Sequence, residues 1–468
     1  MLLDERYWWG QLEPTFRGRR VIVTGEVVAA LTPVVAALHR LGAARVLAIA
    51  GGGAGSGPPP PAGSAEVVTL GAGGSTMMAS IRASQDALAH LPAEVLEQID
   101  EFDPGHEAVV VGDLLTAHPE VAGRSYLAHR RPEWLALDDK VVIDGFWDRV
   151  GVDRAPAEVL RVDDAELGEV CRRLDLGEGV AVAADASQGW HGGAELLRRV
   201  RTPDEVDLAR RFFAERAVSV RVMPFLEGIP CSIHGVVIGD EVLAVRPVEM
   251  LVLRPEDTSL WYSGCASLWD PPAADREAMR SLARRVGAAL RAEVGFRGAF
   301  TIDGVMTADG FRPTELNPRN GAGMRVLTGS VDLPLQLLFD CVVAGVDADW
   351  RPRDLEALLV AAADEHRMAS CHRSIPAVLE HGVEELVLDR GAFRTPAVGE
   401  PADVRVECGP SAVGSFLRAT ALPGRHPVGP SFAPVAAAFW RWADRRHGLG
   451  IGPLLPATEA PRSPTPPP

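Results

Sequence analysis

Apolar runs near the start of the chain follow the pattern of a sheet with crossover helices. Residues 20–24, 45–50 and 107–112 form short apolar runs that predict buried strands, and the apolar periodicity of residues 27–41 predicts a helix. Strand, helix and strand in this order indicate a parallel sheet, and therefore an α/β fold for this part of the chain. The Gly- and Pro-rich segment 51–63 predicts an exposed, flexible loop.

The middle of the chain has clearer element boundaries. Thr202 precedes Pro203, and an acidic residue follows at the third helical position, which together are the signature of a capped helix start. Apolar runs at 218–225 and 231–238 predict strands, and apolar positions at helical spacing over 273–294 predict a long helix.

The last part of the chain mixes short strands with helices. Residues 404–408 predict a strand, residues 432–446 predict an amphipathic helix, and the Pro-rich end 456–468 predicts disorder. A chain of 468 residues is long enough for two or three packed units. These patterns divide it into an N-terminal domain at 1–132, a central region at 133–345, a C-terminal lobe at 346–455 and a tail at 456–468.

Composition and charge exclude several classes of protein. The net charge of -16 argues against a nucleic-acid-binding surface, which is normally basic. No run of eighteen apolar residues occurs, and the first residues show no basic and apolar leader. The six cysteines are dispersed without a C-x-x-C pair, so we expect reduced core residues rather than disulfides or a zinc site. We therefore expect a soluble cytoplasmic protein without nucleic-acid or membrane partners.

Two residue types are almost absent from the chain. Lys140 is the single lysine among 47 basic residues, and Asn317 and Asn320 are the only asparagines. Such a bias replaces Lys by Arg wherever a solvated cation suffices, but not where a site needs a compact ammonium. Lys140 is therefore a candidate site residue, with chance survival as the alternative. The two asparagines fall within one short string, which favours a functional role.

No dinucleotide site is expected in the N-terminal domain. Gly25 follows the first predicted strand, but no G-x-G-x-x-G pattern begins there. The glycines at 51–53 run into prolines rather than opening a helix. Backbone amides at a helix N-terminus are what bind pyrophosphate, and that context is missing here.

A hairpin is predicted where both asparagines occur. Two apolar runs flank residues 308–310, an Ala-Asp-Gly sequence typical of a three-residue turn with Gly in the left-handed position. Such a turn pairs Thr307 with Phe311. Equal steps outward along both strands then place Asp303 opposite Glu315.

Asp303, Glu315 and Asn317 are candidate metal ligands. Asn317 lies two residues after Glu315, so its side chain points to the same face of the hairpin. Two carboxylates whose Cβ atoms are about 5 Å apart repel each other unless a cation lies between them. Carboxylate and amide oxygens suit magnesium, with nucleotide phosphates completing its shell. The alternative is an ordinary exposed hairpin with polar residues on its wet face.

This pattern resembles the metal motif of the ATP-grasp superfamily, an acidic residue on one strand followed by E-x-N on the next. Asp303, Glu315 and Asn317 match that motif one for one. The resemblance covers about residues 132–345 and is strongest to bacterial ATP-grasp proteins associated with amide or peptide bond formation. It implies an α/β ATP-grasp fold with an N-terminal Rossmann-like domain, central nucleotide-clamping subdomains and a C-terminal lobe.

The resemblance also implies ATP and magnesium as cofactors. Lys140 corresponds to a lysine that contacts nucleotide phosphate, and residues 187–193 are similar to the Gly-rich loop that covers the phosphates. Residues 223–228 resemble the hinge that holds the adenine ring. A plain surface loop and a plain core strand are the alternatives for these two segments. The implied nucleotide contacts are Lys140, Ser187, Gly189, His191, Gly192, Met223, Phe225 and Glu227.

Two departures from the family pattern affect phosphate and adenine binding. The strand at 180–185 lacks the usual second lysine, so that His191 or an arginine would have to supply the charge. The hinge lacks the usual acidic residue unless Glu227 takes its place. Arg246 and Arg319 are candidates for holding an acyl phosphate, because a guanidinium binds phosphate oxygens bidentately. Each could equally form a surface ion pair.

The activity implied by the resemblance is ATP-dependent ligation of a small-molecule carboxylate to an amine through an acyl phosphate. Amino acids or peptides are among the substrates it implies, and a homodimer stays open. Two rival hypotheses remain. One is a phosphotransferase that uses the same nucleotide site without forming an amide. The other is a nucleotide-binding regulator whose catalysis is weakened by the missing lysine.

Overall fold

The N-terminal part of the chain folds around a parallel sheet, in a computed structural model that describes residues 4–55, 57–113 and 115–457. Its elements are α1 (Glu5–Phe16), β1 (Arg20–Gly25), α2 (Val28–Arg40), β2 (Arg45–Ala50), β3 (Glu66–Thr69), α3 (Met77–Ala89), α4 (Ala93–Phe102), β4 (Val109–Val111), β5 (Glu120–Val121) and β6 (Arg124–Ser125). The main sheet has the order β3-β2-β1-β4 and its strands are parallel. This arrangement confirms the parallel sheet predicted from the apolar runs.

Strand β3 and the loop before it differ from the sequence pattern. Three of the four residues of β3 are exposed at the sheet edge, so this strand gives no buried-strand signal. The segment 51–63 was predicted to be exposed, but Gly51 and Gly52 are buried; residue 56 lies outside the described residues. Gly51 lies against helix α3, where a Cβ would be 2.2 Å from Ser84 Oγ. The start of this loop therefore belongs to the packed domain.

A small antiparallel sheet with helices forms the next unit. Its elements are α5 (Pro132–Leu135), a 3-10 turn (Ala136–Asp138), α6 (Ile143–Val150), β7 (Glu158–Arg161), α7 (Leu167–Leu174), β8 (Val180–Ala184), β9 (Leu197–Val200), α8 (Pro203–Ala214) and β10 (Ser219–Pro224). The strand order is β7-β10-β8-β9. Helix α8 begins as predicted, because the side chain of Thr202 accepts a hydrogen bond from the backbone N–H of Glu205 at 3.3 Å.

An eleven-stranded sheet forms most of the remaining structure. Its strands run in the order β16-β15-β11-β13-β14-β17-β21-β20-β18-β19, with β12 paired to β11. The elements are β11 (Ile229–Ile238), β12 (Glu241–Ala244), β13 (Val248–Leu253), β14 (Trp261–Ala266), α9 (Ala273–Val294), β15 (Gly298–Thr307), β16 (Gly310–Asn317), α10 (Ala322–Thr328), α11 (Leu335–Ala344), α12 (Pro352–Glu365), β17 (Ala369–Ile375), β18 (Gly382–Asp389), β19 (Ala392–Arg394), β20 (Val404–Ser411), β21 (Gly414–Ala421) and α13 (Ala433–His447).

The large sheet is continuous across residue 345, where the sequence places a domain boundary. Strand β17 pairs with β14, so that Cys371 lies opposite Gly264 and the central and C-terminal parts share one sheet. Beyond α13, Leu455 exchanges two backbone hydrogen bonds of 2.8 and 2.9 Å with Arg254. Most of the tail that was predicted to be disordered, residues 458–468, lies outside the described residues.

All six cysteines are free thiols, and five of them are buried, as expected for core residues; Cys408 is half-buried. In the described part of the chain, no helix is long and apolar enough to cross a membrane.

The turn of the β15–β16 hairpin is shorter than predicted. Thr307 pairs with Gly310 rather than with Phe311, so the loop contains only residues 308–309. Gly310 has a φ of 102°, a conformation that side chains disfavour, and it forms the first residue of the returning strand. The predicted three-residue turn is therefore wrong.

A β-bulge restores the pairing that the sequence predicted. Gly304 lies opposite Pro313 and Asp303 lies opposite Glu315, so Thr314 is the extra residue. The bulge shifts the register by one residue, which compensates for the shorter turn. Asp303 and Glu315 consequently face each other as expected.

We predict that Gly304→Ala destabilises the protein by about 1–3 kcal/mol, the usual cost of overpacking. A Cβ at this position would lie 2.3 Å from the backbone oxygen of Arg312. Gly10→Ala is the matched control, because a Cβ at this exposed helical position meets no atom within 4 Å. It should be neutral or slightly stabilising, since Ala favours helix. Urea denaturation measures both variants, and equal midpoints would contradict the close packing inferred at Gly304.

Candidate functional site

The β15–β16 hairpin forms one wall of a cavity of about 350 Å³. Strands β8 and β10 of the small sheet contribute a second wall, and helix α3 contributes Met77, Met78 and Ile81. Three separate parts of the chain therefore meet here. The predicted site residues that line the cavity are Lys140, His191, Gly192, Met223, Phe225, Asp303, Glu315, Asn317 and Arg319.

The carboxylate of Asp303 is held by hydrogen bonds from two neighbouring strands. Asp303 accepts from Ser232 Oγ at 2.5 Å and from Asn317 Nδ2 at 2.9 Å. Burial and the negative charge of Glu315 raise the pKa of Asp303 to about 6. The raised pKa of Asp303 reflects burial first and the neighbouring carboxylate second.

Lys140 and Arg319 supply the positive charge around this pair. Lys140 Nζ lies 2.8 Å from Glu315 Oε1. Burial opposes ionisation of Glu315, but the charge and hydrogen bond of Lys140 hold its pKa below the ordinary value. Arg319 Nη2 donates to Asn317 Oδ1 at 2.8 Å. Two carboxylates and two cations thus form one compact network at the polar end of the cavity.

The Gly-rich loop folds back on itself beside this network. Asp185 accepts hydrogen bonds from Ser187 Oγ at 2.6 Å and from the backbone N–H of Ser219 at 2.6 Å. His191 Nε2 donates to the backbone carbonyl of Asp185 at 3.1 Å. Burial, with a contribution from Lys140, lowers the pKa of His191, which favours the neutral imidazole.

Helix α3 of the N-terminal part and its N-cap residue bind the same loop through hydrogen bonds and an ion pair. Arg82 Nη1 donates to the backbone carbonyl of Trp190 at 3.0 Å and lies 3.3 Å from Glu195 Oε2. Thr76 Oγ1 donates to Glu195 Oε1 at 3.3 Å. The indole of Trp190 in turn lies under the guanidinium of Arg319, 5.2 Å from the ring centroid. The loop therefore connects the N-terminal domain to the polar end of the cavity.

The rest of the cavity is lined mainly by apolar side chains. Met223 and Phe225 line it, and the guanidinium groups of Arg199 and Arg254 lie 4.1 and 4.9 Å from the centroid of the Phe225 ring. Glu227 does not line the cavity, because its carboxylate binds Arg254 through two bonds of 2.7 and 2.9 Å. Its place as the substitute acidic residue of the hinge stays a prediction.

Three further predicted residues lie away from the cavity lining. Ser187 turns its hydroxyl to Asp185, and Gly189 adopts a φ of 92° within the loop. Arg246 is buried and forms ion pairs with Asp270, at 2.6 Å, and with Asp364. Arg246 therefore does not line the cavity with Arg319. Its contacts are ion pairs, which was the alternative to a role in holding an acyl phosphate.

Arg221 is a cavity residue that the sequence analysis missed. It is 2% exposed and lies directly opposite Ala183 across the β8–β10 pair, so a cation lines the wall where the strand at 180–185 lacks a lysine. Asp144 binds its guanidinium at 2.7 and 2.8 Å. The sequence could have indicated this position, because alternate residues of a strand share a face. Arg221 is two residues before Met223, which was already a predicted site residue.

Comparisons with known proteins identify the fold. No family model matches the chain, and no curated protein matches its sequence. The ADP complex of an N5-carboxyaminoimidazole ribonucleotide synthetase aligns over 92% of this chain and 98% of that chain, at 13% identity and a TM-score of 0.54. The biotin carboxylase domain of Hydrogenobacter thermophilus 2-oxoglutarate carboxylase aligns over 94% and 91%, at 15% identity and a TM-score of 0.52.

An L-amino acid ligase from Bacillus licheniformis is similar over 94% of this chain and 98% of that chain, at 14% identity and a TM-score of 0.50. The chain therefore has the ATP-grasp fold, as the hairpin motif predicted. At these identities the likeness concerns the fold, and the roles of individual residues rest on the geometry described above.

We predict that Lys140→Met lowers the free energy of unfolding by about 1–3 kcal/mol at pH 7, because two half-buried carboxylates lose one of their two cations. Lys140→Arg keeps the charge, so its free energy of unfolding should fall by less. The loss should shrink in acid, as the pH falls through the lowered pKa of Glu315 and the carboxylate that Lys140 stabilises becomes protonated. Chemical denaturation at several pH values measures this. A methionine variant as stable as the wild type at pH 7 would show that the ion pair does not offset the repulsion.

Proposed function

We propose that this protein is an ATP-dependent ligase that joins a small-molecule carboxylate to an amine through an acyl phosphate. The observation that carries the proposal is the network of Asp303, Glu315 and Asn317 with Lys140 and Arg319, at the polar end of a cavity whose remaining lining is mainly apolar. Such a cavity has one end suited to phosphates with a divalent cation and another suited to a planar base.

The donor set of the hairpin fits magnesium better than a transition metal. It comprises two carboxylates, Asp303 and Glu315, and the amide of Asn317, all oxygen donors. In the described part of the chain, no group of three or more His, Cys, Asp or Glu side chains could hold a metal ion. Magnesium is usually held by one or two carboxylates together with substrate phosphates. The synthetase above was crystallised with ADP and the Hydrogenobacter domain with MgADP, which supports ATP and magnesium as the cofactors here.

The proposed roles of the side chains follow from their charge and position. Asp303, Glu315 and Asn317 hold the magnesium ion, which when bound neutralises charge on the phosphoryl oxygens. Lys140 and Arg319 orient the phosphates by charge-assisted hydrogen bonds. Met223 and Phe225 pack against the adenine ring, and Arg221 supplies charge that the family's second lysine supplies elsewhere.

The proposed reaction has two steps. A carboxylate oxygen of the acid attacks the γ-phosphorus of ATP, the bond to the β-γ bridging oxygen breaks, and ADP leaves. The amine then attacks the carbonyl carbon, the bond from carbon to the phosphate oxygen breaks, and the amine loses a proton as phosphate leaves. An acyl phosphate hydrolyses readily, so residues 187–193 serve to exclude water from it.

The choice of an amine as the acceptor is the least constrained part of the proposal. One of the similar structures is an L-amino acid ligase, whereas others are carboxylating enzymes by name. The chain's partners are accordingly proposed as a small-molecule acid and an amine, with amino acids or peptides among them. The Hydrogenobacter domain crystallised as a dimer, and a homodimer of this chain stays a prediction.

ADP release in the presence of paired acids and amines tests the proposal directly. A ligase releases ADP at full rate only when both substrates are present, and mass spectrometry then finds the amide. A phosphotransferase releases ADP with the acceptor alone and yields a stable phosphorylated product. A regulator binds MgATP but releases no ADP above the background under either condition.

We predict that Glu315→Gln and Asn317→Ala each weaken MgATP binding at least about tenfold, the cost of one charged or metal-linked contact. Affinity for ATP in EDTA should change less, because that measurement excludes the metal. Glu97→Gln is the matched control, since Glu97 is exposed on α4, far from the hairpin in sequence. Titration calorimetry gives both affinities. Wild-type MgATP affinity in either hairpin variant would remove the metal assignment.

We also predict that MgATP slows amide hydrogen exchange in residues 187–193. Ordering glycine-rich backbone costs conformational entropy, and contacts with phosphate would offset that cost only when the nucleotide is present. Peptides from α13, which does not line the cavity, provide the internal control and should exchange at an unchanged rate. Equal exchange rates in residues 187–193 with and without MgATP would contradict a role in covering the phosphates and would favour an ordinary surface loop.

A further inference from the structure

A second, smaller cavity of about 80 Å³ adjoins the nucleotide site. It lies where the end of strand β4, helix α11 and the segment after β16 come together. Arg319 lines both cavities, so a molecule in the smaller one lies beside the network of the hairpin. The charged and amide side chains that line it include Asp113, Arg130, Arg297, Arg319, Asn320 and Asp340.

One of the two carboxylates in this cavity, Asp340, lacks a full set of partners, whereas Asp113 accepts hydrogen bonds from Gln85, Leu115 and Thr116. Gln336, Phe339, Asp340 and Val343 occupy one face of α11 and all line the cavity. Asp340 Oδ2 is shut off from solvent and has no hydrogen-bond partner among the described residues. Burial raises the pKa of Asp340 well above its ordinary value, and the charge of Asp113 adds to that shift. A buried carboxylate in this state is expected to bind a cationic or hydrogen-bond-donating group.

A cation of the same cavity is also incompletely paired. Arg130 is only 6% exposed; it forms an ion pair with Asp138, but its Nε has no hydrogen-bond partner among the described residues. Burial and the neighbouring Arg319 lower the pKa of Arg130 to about 9. Two guanidinium groups whose charges oppose each other favour an anion between them.

Asn320 adds a neutral hydrogen-bonding group to this set. Its Oδ1 is shut off from solvent and has no hydrogen-bond partner among the described residues. An asparagine is retained at only one other position of the chain, Asn317. The carboxamide presents a donor and an acceptor together, a property that the charged side chains around it lack.

We infer that the smaller cavity binds the amine substrate of the proposed ligase as a small zwitterion, such as an α-amino acid. The carboxylates of Asp340 and Asp113 face its ammonium group, and Arg130 with Arg319 faces its carboxylate. This inference rests on the proposed function, because only a ligase needs an amine beside the phosphate site. It goes further by assigning opposite charges to the two ends of that substrate.

The volume of the cavity suits a small substrate. One water-sized group needs roughly 10–15 Å³ of such volume, so the cavity accepts roughly five to eight non-hydrogen atoms. Glycine, alanine and serine lie in that range, whereas a large aromatic side chain does not. Two aromatic side chains that line the cavity, Trp134 and Phe296, are packed edge to face with centroids 4.8 Å apart.

Titration calorimetry on the whole chain with MgADP tests the inference, with glycine, L-alanine and L-serine as separate probes. Ethylamine lacks the carboxylate and propionate lacks the ammonium, so each should bind at least about tenfold more weakly than the best amino acid. Asp340→Asn should weaken the binding of that amino acid at least about tenfold and leave the affinity for MgATP unchanged. Asp332→Asn, an exposed aspartate eight residues earlier, is the matched control and should bind as the wild type does.

The outcomes separate this inference from the proposed function. Binding of none of the three amino acids, equal binding of propionate, or an unchanged affinity in Asp340→Asn would each overturn the zwitterion site. MgATP binding in the same protein would then still support the nucleotide site, whereas its absence would count against the ligase itself. Circular dichroism checks the fold of Asp340→Asn. Should that variant not fold, Arg130→Gln tests the other end of the substrate, with propionate and the best amino acid as probes.

Discussion

The repulsion between two carboxylates at one position of a hairpin organises the centre of this molecule. Asp303 and Glu315 face each other, and the strand pairing that holds them also holds the core beneath. Folding without ligand is possible because Lys140 and Arg319 surround the pair with positive charge.

The Gly-rich loop extends this constraint to the N-terminal domain. Arg82 on α3 binds both the backbone of Trp190 and the side chain of Glu195, so the loop is fastened to a helix far away in sequence. Trp190 in turn contacts Arg319 of the hairpin network. The hairpin network is therefore connected to the N-terminal domain through one short segment. This connection also explains why the apolar side chains of α3 line a cavity that otherwise belongs to the central region.

Local sequence patterns predicted the elements well, and the site only in part. The parallel sheet, helix α8 with its Thr202 cap and the facing pair Asp303 and Glu315 all follow from short-range rules. The turn did not, because a two-residue loop and a bulge at Thr314 give the same pair as the three-residue loop, and no local rule distinguishes the two combinations. Residue type alone could not show which arginine belongs to the site, because nearly all Lys and Arg positions of the chain are arginine. The sequence therefore did not distinguish Arg221, which lines the cavity, from Arg246, which does not. Their roles depend on which carboxylates lie nearby, and those come from distant parts of the chain.

The compositional bias of the chain makes its exceptions informative. The lysine and both asparagines line one or other of two adjoining cavities: Lys140 and Asn317 the larger, Asn320 the smaller. Surface positions tolerate the exchange of these types for arginine or another polar residue, because water satisfies either group equally. Enclosed positions do not, since each missing donor or acceptor there leaves another polar group unpaired. The compositional bias therefore replaces lysine and asparagine wherever another polar side chain can take the same place. What remains marks the positions at which the shape of the side chain, and not only its charge, is required.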